Sequence, residues 1–184
     1  MRDRLFDAIA RQARLLGRST ADLMAAAQQD RDSLTVSVGP VVLRPVLQAC
    51  VDAQPDTGVV EIDCADDVVV VADVGRLEQM VANLLSNAVK YGEQPVAVAA
   101  RVDDGEVRID VSDAGAGVAE AFVPQLFDEF SRESRHGAHG TGLGLYVVRS
   151  LALAQGGSAS YARVGDRSVF TLVLPAGPRE VEPR

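Results

Sequence analysis

Asparagine, lysine, cysteine and aromatic side chains are all scarce in this chain of 184 residues, and several of these shortages narrow what it can be. Lysine occurs once, so 17 of the 18 basic residues are arginine, set against 26 acidic ones and a net charge of −8. With no basic patch, that balance excludes a nucleic-acid surface. Only two cysteines are present, Cys50 and Cys64, on apolar segments and without CxxC spacing. They predict two buried, reduced thiols rather than a disulfide framework, as is usual in the cytosol. No run approaches ~18 apolar residues, so no segment is expected to insert into a membrane. The opening MRDRLFDAIARQ is too charged for a secretory signal. What remains, 47% hydrophobic and 24% charged with 4% aromatic, suits one globular domain with a real core and an appendage.

Residues 1 to about 30 read as a helix with a narrow stripe, Leu5, Ile9, Gln12, Leu16, Leu23 and Ala27, that needs a partner helix to cover it. The segment QQDRDSL marks the boundary to the globular part. A strand is expected over residues 34–38, then a helix from near Pro45. Extended runs follow at residues 58–64 and 67–73. Asp73 is placed to cap a helix that runs to Tyr91 and ends at Gly92, read as a left-handed terminal glycine. Residues 95–102 and 106–113 form a hairpin around Asp103-Asp104-Gly105. Residues 114–140 are glycine-bearing and irregular apart from a short helix around FVPQLF. A helix over about 142–155, a last hairpin and a frayed tail from Ala176 complete the chain. Adjacent antiparallel hairpins alternating irregularly with helices predict an α+β two-layer sandwich over a doubly wound parallel sheet.

The two asparagines of the whole chain, Asn83 and Asn87, and its single lysine, Lys90, fall together in NLLSNAVKY. Steps of four and three put Asn83, Asn87, Lys90 and Tyr91 on one side of the helix, while Leu77, Val81, Leu84, Leu85 and Ala88 supply the core side. Amide oxygens can ligate a hard cation such as Mg²⁺, which keeps several waters and shares phosphate oxygens. An ammonium nearby meets phosphates as a point charge. Downstream, DVSDAGAGV ends a strand at Asp113, which can accept a hydrogen bond from an exocyclic amino group, and Gly115 and Gly117 permit close backbone approach. HGTGLGLYVVRS alternates glycines before an apolar helix, a start whose free N–H groups attract anions. A P-loop is excluded because Val89 precedes the single lysine, and Glu120 breaks a dinucleotide fingerprint.

In order and spacing these pieces resemble the ATP-binding catalytic domain of bacterial sensor histidine kinases. NLLSNAVKY is similar to that family's N box, DAGAGV to its first glycine box, LFDEFSR to its phenylalanine box and GTGLGL to its second glycine box. The resemblance covers about residues 34–174. It implies a Bergerat fold, a mixed sheet with three helices on one face, and ATP with Mg²⁺ as ligands. Asn87 would be the Mg²⁺ ligand with Asn83 beside it, Lys90 would reach the phosphates, and Tyr91 would pack beside the nucleotide. Asp113 would recognise the adenine amino group, with Gly115 and Gly117 opening space. Phe127 and Phe130 would anchor a lid over about 119–140. Gly140, Gly142 and Gly144, with Thr141 and Leu143 between them, would line the phosphates.

ATP hydrolases and serine kinases of the same superfamily resemble one another in a glutamate general base four residues before the Mg²⁺ asparagine. That position here is Asn83, and a carboxamide takes no proton from water or serine near neutral pH. The resemblance therefore implies transfer of the γ-phosphoryl of ATP to a histidine, an imidazole being already a nucleophile. Alternatives are an ATP-binding regulatory module without transfer, or a hydrolase or serine kinase of the same fold. The family's phosphoacceptor motif H-[ED]-x-x-[TN]-P does not occur, and His136 and His139 lie in the lid segment. The acceptor histidine is thus expected outside this chain, on a dimerisation and phosphotransfer hairpin, with a response regulator downstream. Residues 1–32 would be a remnant of that hairpin, from an excised fragment or a naturally split kinase, 33–175 the catalytic domain and 176–184 a flexible tail. The setting implied is cytoplasmic, free or as the cytoplasmic part of a membrane-anchored sensor.

Overall fold

The computed structural model describes residues 35–54, 58–132 and 141–178. The helix expected over residues 1 to 30 and its boundary segment lie outside the described residues. The first strand, β1 (Gly39–Val42), falls later than the expected 34–38. Its partner decides this. β1 pairs antiparallel with β3 (Val69–Ala72), Gly39 opposite Ala72 and Val42 opposite Val69. Beyond Ala72 the chain turns into a helix, so nothing remains for residues 35–38 to pair with. Instead the Ser37 backbone N–H donates to the Asp73 carboxylate at 2.9 Å.

Helix α1 (Leu43–Asp52) starts two residues before Pro45, which a first turn tolerates because its N–H groups have no helical acceptor. Strand β2 (Val60–Asp63) follows, then β3 and helix α2 (Val74–Tyr91). Asp73 caps α2 as expected, its Oδ1 accepting from the Arg76 N–H at 3.1 Å. Strands β4 (Val96–Asp103) and β5 (Glu106–Asp113) form the hairpin, with Asp104 and Gly105 at φ +46° and +78°, the paired left-handed turn that suits right-twisted strands. A 3₁₀ turn at Val123–Gln125 precedes α3 (Gly144–Ala154), β6 (Ser158–Val164) and β7 (Arg167–Pro175).

Five strands make one mixed sheet in the order β2-β4-β5-β7-β6, with β2 parallel to β4 and the other pairs antiparallel. Its inner face carries Val96, Val98, Val107, Ile109, Val111, Leu172 and Leu174, all buried. Against it pack Leu43 and Leu47 of α1, Leu77, Met80, Leu84 and Leu85 of α2, and Val148 and Leu151 of α3. This is the two-layer α+β sandwich the patterning predicts, with each fully buried Leu contributing about 1.5–3 kcal/mol. The tail begins later than Ala176, since the Ala176 N–H donates to the Gly105 carbonyl at 2.9 Å and the Gly177 N–H to Val69 at 2.8 Å. These bonds tie the β1–β3 ribbon to the large sheet. Cys50 and Cys64 are free and buried, and burial, with Glu78 adding, pushes the Cys50 thiol up to about 11.

Candidate nucleotide site

The site is built where α2 ends, β5 ends and α3 begins. On α2, Asn83 and Asn87 are half-buried, while Lys90 and Tyr91 are exposed, so the expected polar side is present and the five residues assigned to the core side are all buried. The Asn83 side-chain amide donates to the Gly144 carbonyl at 3.4 Å. Sixty-one positions apart in sequence, the asparagine helix and the second glycine box meet there.

Asp113 is the second fixed point. It is 3% exposed, and its Oδ1 accepts from the Gly115 N–H at 2.8 Å. That bond fixes the carboxylate rotamer and leaves Oδ2 for a further donor. Gly92 differs from expectation. Its φ of −93° is ordinary, and no left-handed turn ends α2. A Cβ there would lie 2.4 Å from Asp113 Cγ and 2.6 Å from the Ala88 carbonyl oxygen, so it is the close approach of Asp113 that excludes a side chain. Gly115 is equally confined, 2.8 Å from the Gly92 Cα by the same measure, and the Ala114 N–H donates to Glu93 at 2.9 Å. The turn after α2 and the turn after β5 are therefore stacked on one another.

The two phenylalanines expected to anchor the lid behave differently. Phe127 is buried in the core, but the Phe130 side chain is 60% exposed and its backbone is left-handed, φ +58°. What packs is the Phe130 backbone, which would meet a Cβ on Gly142 at 2.8 Å, and Gly142 itself has φ +74°. Phe130 and Gly142 are thus pressed together, and only glycine fits at 142. Arg149 of α3 approaches Asp128 at 3.7 Å across the same junction. The Leu143 side chain is fully buried, and its N–H donates to the Thr141 hydroxyl at 3.3 Å. Gly140, His136 and His139 lie outside the described residues.

Three residues of the last hairpin join the site without any sequence signal that marks them. Tyr161 accepts from the Val118 N–H at 3.0 Å, Arg163 donates to the Gly115 carbonyl at 2.6 Å, and buried Ser168 faces Asp113 in the β5–β7 register. Spacing along the chain could not find them, because strand pairing alone brings residues 161–168 to residues 113–118.

The residues present fit a nucleotide with a divalent ion. Gly92 and Gly115 close around Asp113 with no room for a Cβ and so hold its carboxylate in place, and half-buried carboxamides sit on the adjoining helix. Among the described residues no three His, Cys, Asp or Glu groups converge on a metal site, and none of the helices is long and apolar enough to cross a membrane. A divalent ion such as Mg²⁺ is accommodated with few protein ligands when phosphates supply the others.

Residues 72–178 match the family described as histidine kinase-, DNA gyrase B- and HSP90-like ATPases. The chain is 34% identical over 171 residues to the signal transduction histidine-protein kinase AfsQ2 of Streptomyces coelicolor, covering 91% of this chain and 32% of that one. It is 36% identical over 116 residues to the sensor histidine kinase component HK1 of Mycobacterium tuberculosis, covering 61% of this chain and 69% of that one. Among solved structures, full-length ShkA in complex with AMPPNP superposes with a TM-score of 0.73 at 29% identity, over 89% of this chain and 36% of that one. The Acinetobacter baumannii histidine kinase AdeS shares the fold at a TM-score of 0.76 and 24% identity, over 95% of this chain and 85% of that one. The chain spans about a third of AfsQ2 and 46% of a probable sensor histidine kinase HK of M. tuberculosis.

Proposed function

This chain belongs to the histidine kinase-, DNA gyrase B- and HSP90-like ATPase family, and on that premise we propose that it binds Mg·ATP and transfers the γ-phosphoryl to a histidine of a phosphotransfer hairpin, carried on another polypeptide or on an N-terminal part outside the given sequence. The observation that carries the proposal is the contact of Asn83 with Gly144, which sets the N box against the second glycine box. Asn87, one turn on, would ligate Mg²⁺ through its amide oxygen. Asp113, its Oδ1 already engaged by Gly115, would accept a hydrogen bond from the adenine amino group at Oδ2. Lys90 and the start of α3 would meet the phosphates, where the helix N-terminus favours negative charge.

Bound Mg²⁺ would neutralise phosphate charge as the phosphoryl group leaves ADP. The chain's own residues then supply placement more than proton transfer. Asn83 carries no basic oxygen, and its amide hydrogen is donated to Gly144, so it activates neither water nor serine. An incoming imidazole needs no such base, which favours a histidine acceptor over hydrolysis. The acceptor hairpin and a downstream response regulator would be the partners.

The test is incubation with γ-labelled ATP, with and without a protein carrying the histidine hairpin. Label on the partner's histidine is expected. Mg·ATP binding with no transfer to any hairpin would reduce the chain to a binding module, and free phosphate released at a steady catalytic rate would make it a hydrolase.

A further inference from the structure

The loop from Ala114 to Val118 connects the adenine-recognising aspartate to the lid, and it belongs to no helix or strand. Buried or half-buried backbone groups of such a loop need partners, and a loop without them loosens. Here two of them come from one strand. The Tyr161 hydroxyl accepts from the Val118 N–H at 3.0 Å, and the Arg163 guanidinium donates to the Gly115 carbonyl at 2.6 Å. Arg163 also reaches the buried Ser168 hydroxyl at 3.3 Å. Gly117, at φ +76°, lies so close that a Cβ would stand 2.8 Å from the Tyr161 oxygen and 3.0 Å from Arg163 Nη1. Tyr161 is itself held, its ring 5.0 Å from that of buried Phe170 at an interplanar angle of 52°.

Gly115 is the shared residue. Its N–H fixes Asp113 Oδ1, and its carbonyl is what Arg163 holds. We infer that Tyr161 and Arg163 are positioning residues for base recognition, bracing the glycine loop from β6 so that Asp113 presents one fixed carboxylate oxygen to the nucleobase amino group. The inference rests on the nucleotide reading of the site. Neither residue is assigned any contact with the nucleotide, so their influence falls on the base end. The Mg²⁺ and phosphate end, carried by α2 and the start of α3, shares no hydrogen bond with them among those described.

The experiment titrates the full chain and its Tyr161→Phe, Arg163→Met and Arg163→Lys variants with Mg·ATP and with Mg·ITP, whose base bears a carbonyl where adenine bears its amino group. Wild type is expected to prefer ATP. Tyr161→Phe and Arg163→Met should each lose roughly five- to tenfold in ATP affinity, the scale of a lost bond to a charged or buried partner, with ITP affinity little changed. Arg163→Lys, which keeps one donor, should recover most of the ATP preference. An unchanged ATP-to-ITP ratio in Tyr161→Phe and Arg163→Met overturns the inference while leaving the nucleotide reading intact. Equal losses for both nucleotides likewise overturn it, since that is the signature of general loosening. If Arg163→Met melts out, Tyr161→Phe decides, because it deletes one oxygen and keeps the ring on Phe170. A wild-type chain that binds neither nucleotide overturns the nucleotide reading itself, and this inference with it.

Discussion

Single residues at the site act through space denied as much as through groups supplied. Gly92 is the clearest case. A methyl group there has no room between Asp113 and the Ala88 carbonyl, so Gly92→Ala should destabilise the domain by about 1–3 kcal/mol and displace Asp113. Thermal unfolding reads the first effect and ATP titration the second. A Gly92→Ala protein with wild-type stability and affinity would show that Asp113 has another place to go. Asn87→Ala should weaken Mg·ATP binding at least tenfold, as loss of metal-site groups commonly does, while leaving metal-free nucleotide binding nearly unchanged. Equal weakening with and without Mg²⁺ would assign Asn87 some role other than ligation. NLLSNAVKY was conspicuous because asparagine and lysine are otherwise missing, so these candidates were legible from composition alone. Gly92 was legible only as a glycine. Its reason, a neighbour 21 positions away, was not.

The elements owe their limits to partners as well as to their own sequence. Helix α2 follows its pattern closely, since capping and 3.6-residue periodicity are local properties. Asp73 does more than cap it. Its carboxylate accepts from the Ser37 N–H as well as from Arg76, and those bonds hold it below its ordinary value near 3.8. Asp73→Ala should cost about 1 kcal/mol, as loss of an N-cap does. Because the folded carboxyl titrates below the unfolded one, this stabilisation is complete above the unfolded value and fades as pH falls through the lower folded value. The difference in melting temperature between wild type and Asp73→Ala should therefore stay level from about pH 5 to 8 and shrink below about pH 4. A difference that instead grows in acid would contradict the bonds described. Strand β1 shows the opposite situation. LTVSV has the composition of a strand, yet pairing begins at Gly39, because β3 stops at Ala72 where α2 is capped. Strand propensity is weak beside the availability of a partner edge.

The whole molecule behaves as a scaffold whose last hairpin completes a site begun eighty residues earlier in the chain. If nucleotide binding draws these segments together, Mg·ATP at about 100 times its dissociation constant should stabilise the fold by about 2.7 kcal/mol. For a chain of this size that corresponds to a rise in melting temperature of roughly 5–10 °C, most of which EDTA should remove. No shift at saturating Mg·ATP would mean that the folded chain does not bind it. The patterning of hydrophobic residues determined the α+β class, the helix–strand order and the core side of α2, all of which depend on neighbours within a turn or a hairpin. The four boxes, read together, determined the family. Tertiary structure decided what depends on distant strands meeting. It placed β5 beside β7, and so Tyr161, Arg163 and Ser168 beside the glycine loop. It set Asn83 against Gly144, exposed the Phe130 ring while its backbone packs on Gly142, and held Ala176 and Gly177 where a loose tail was expected. Hydrogen bonds between residues tens of positions apart leave no periodicity in a sequence, and only the folded chain brings their partners within reach.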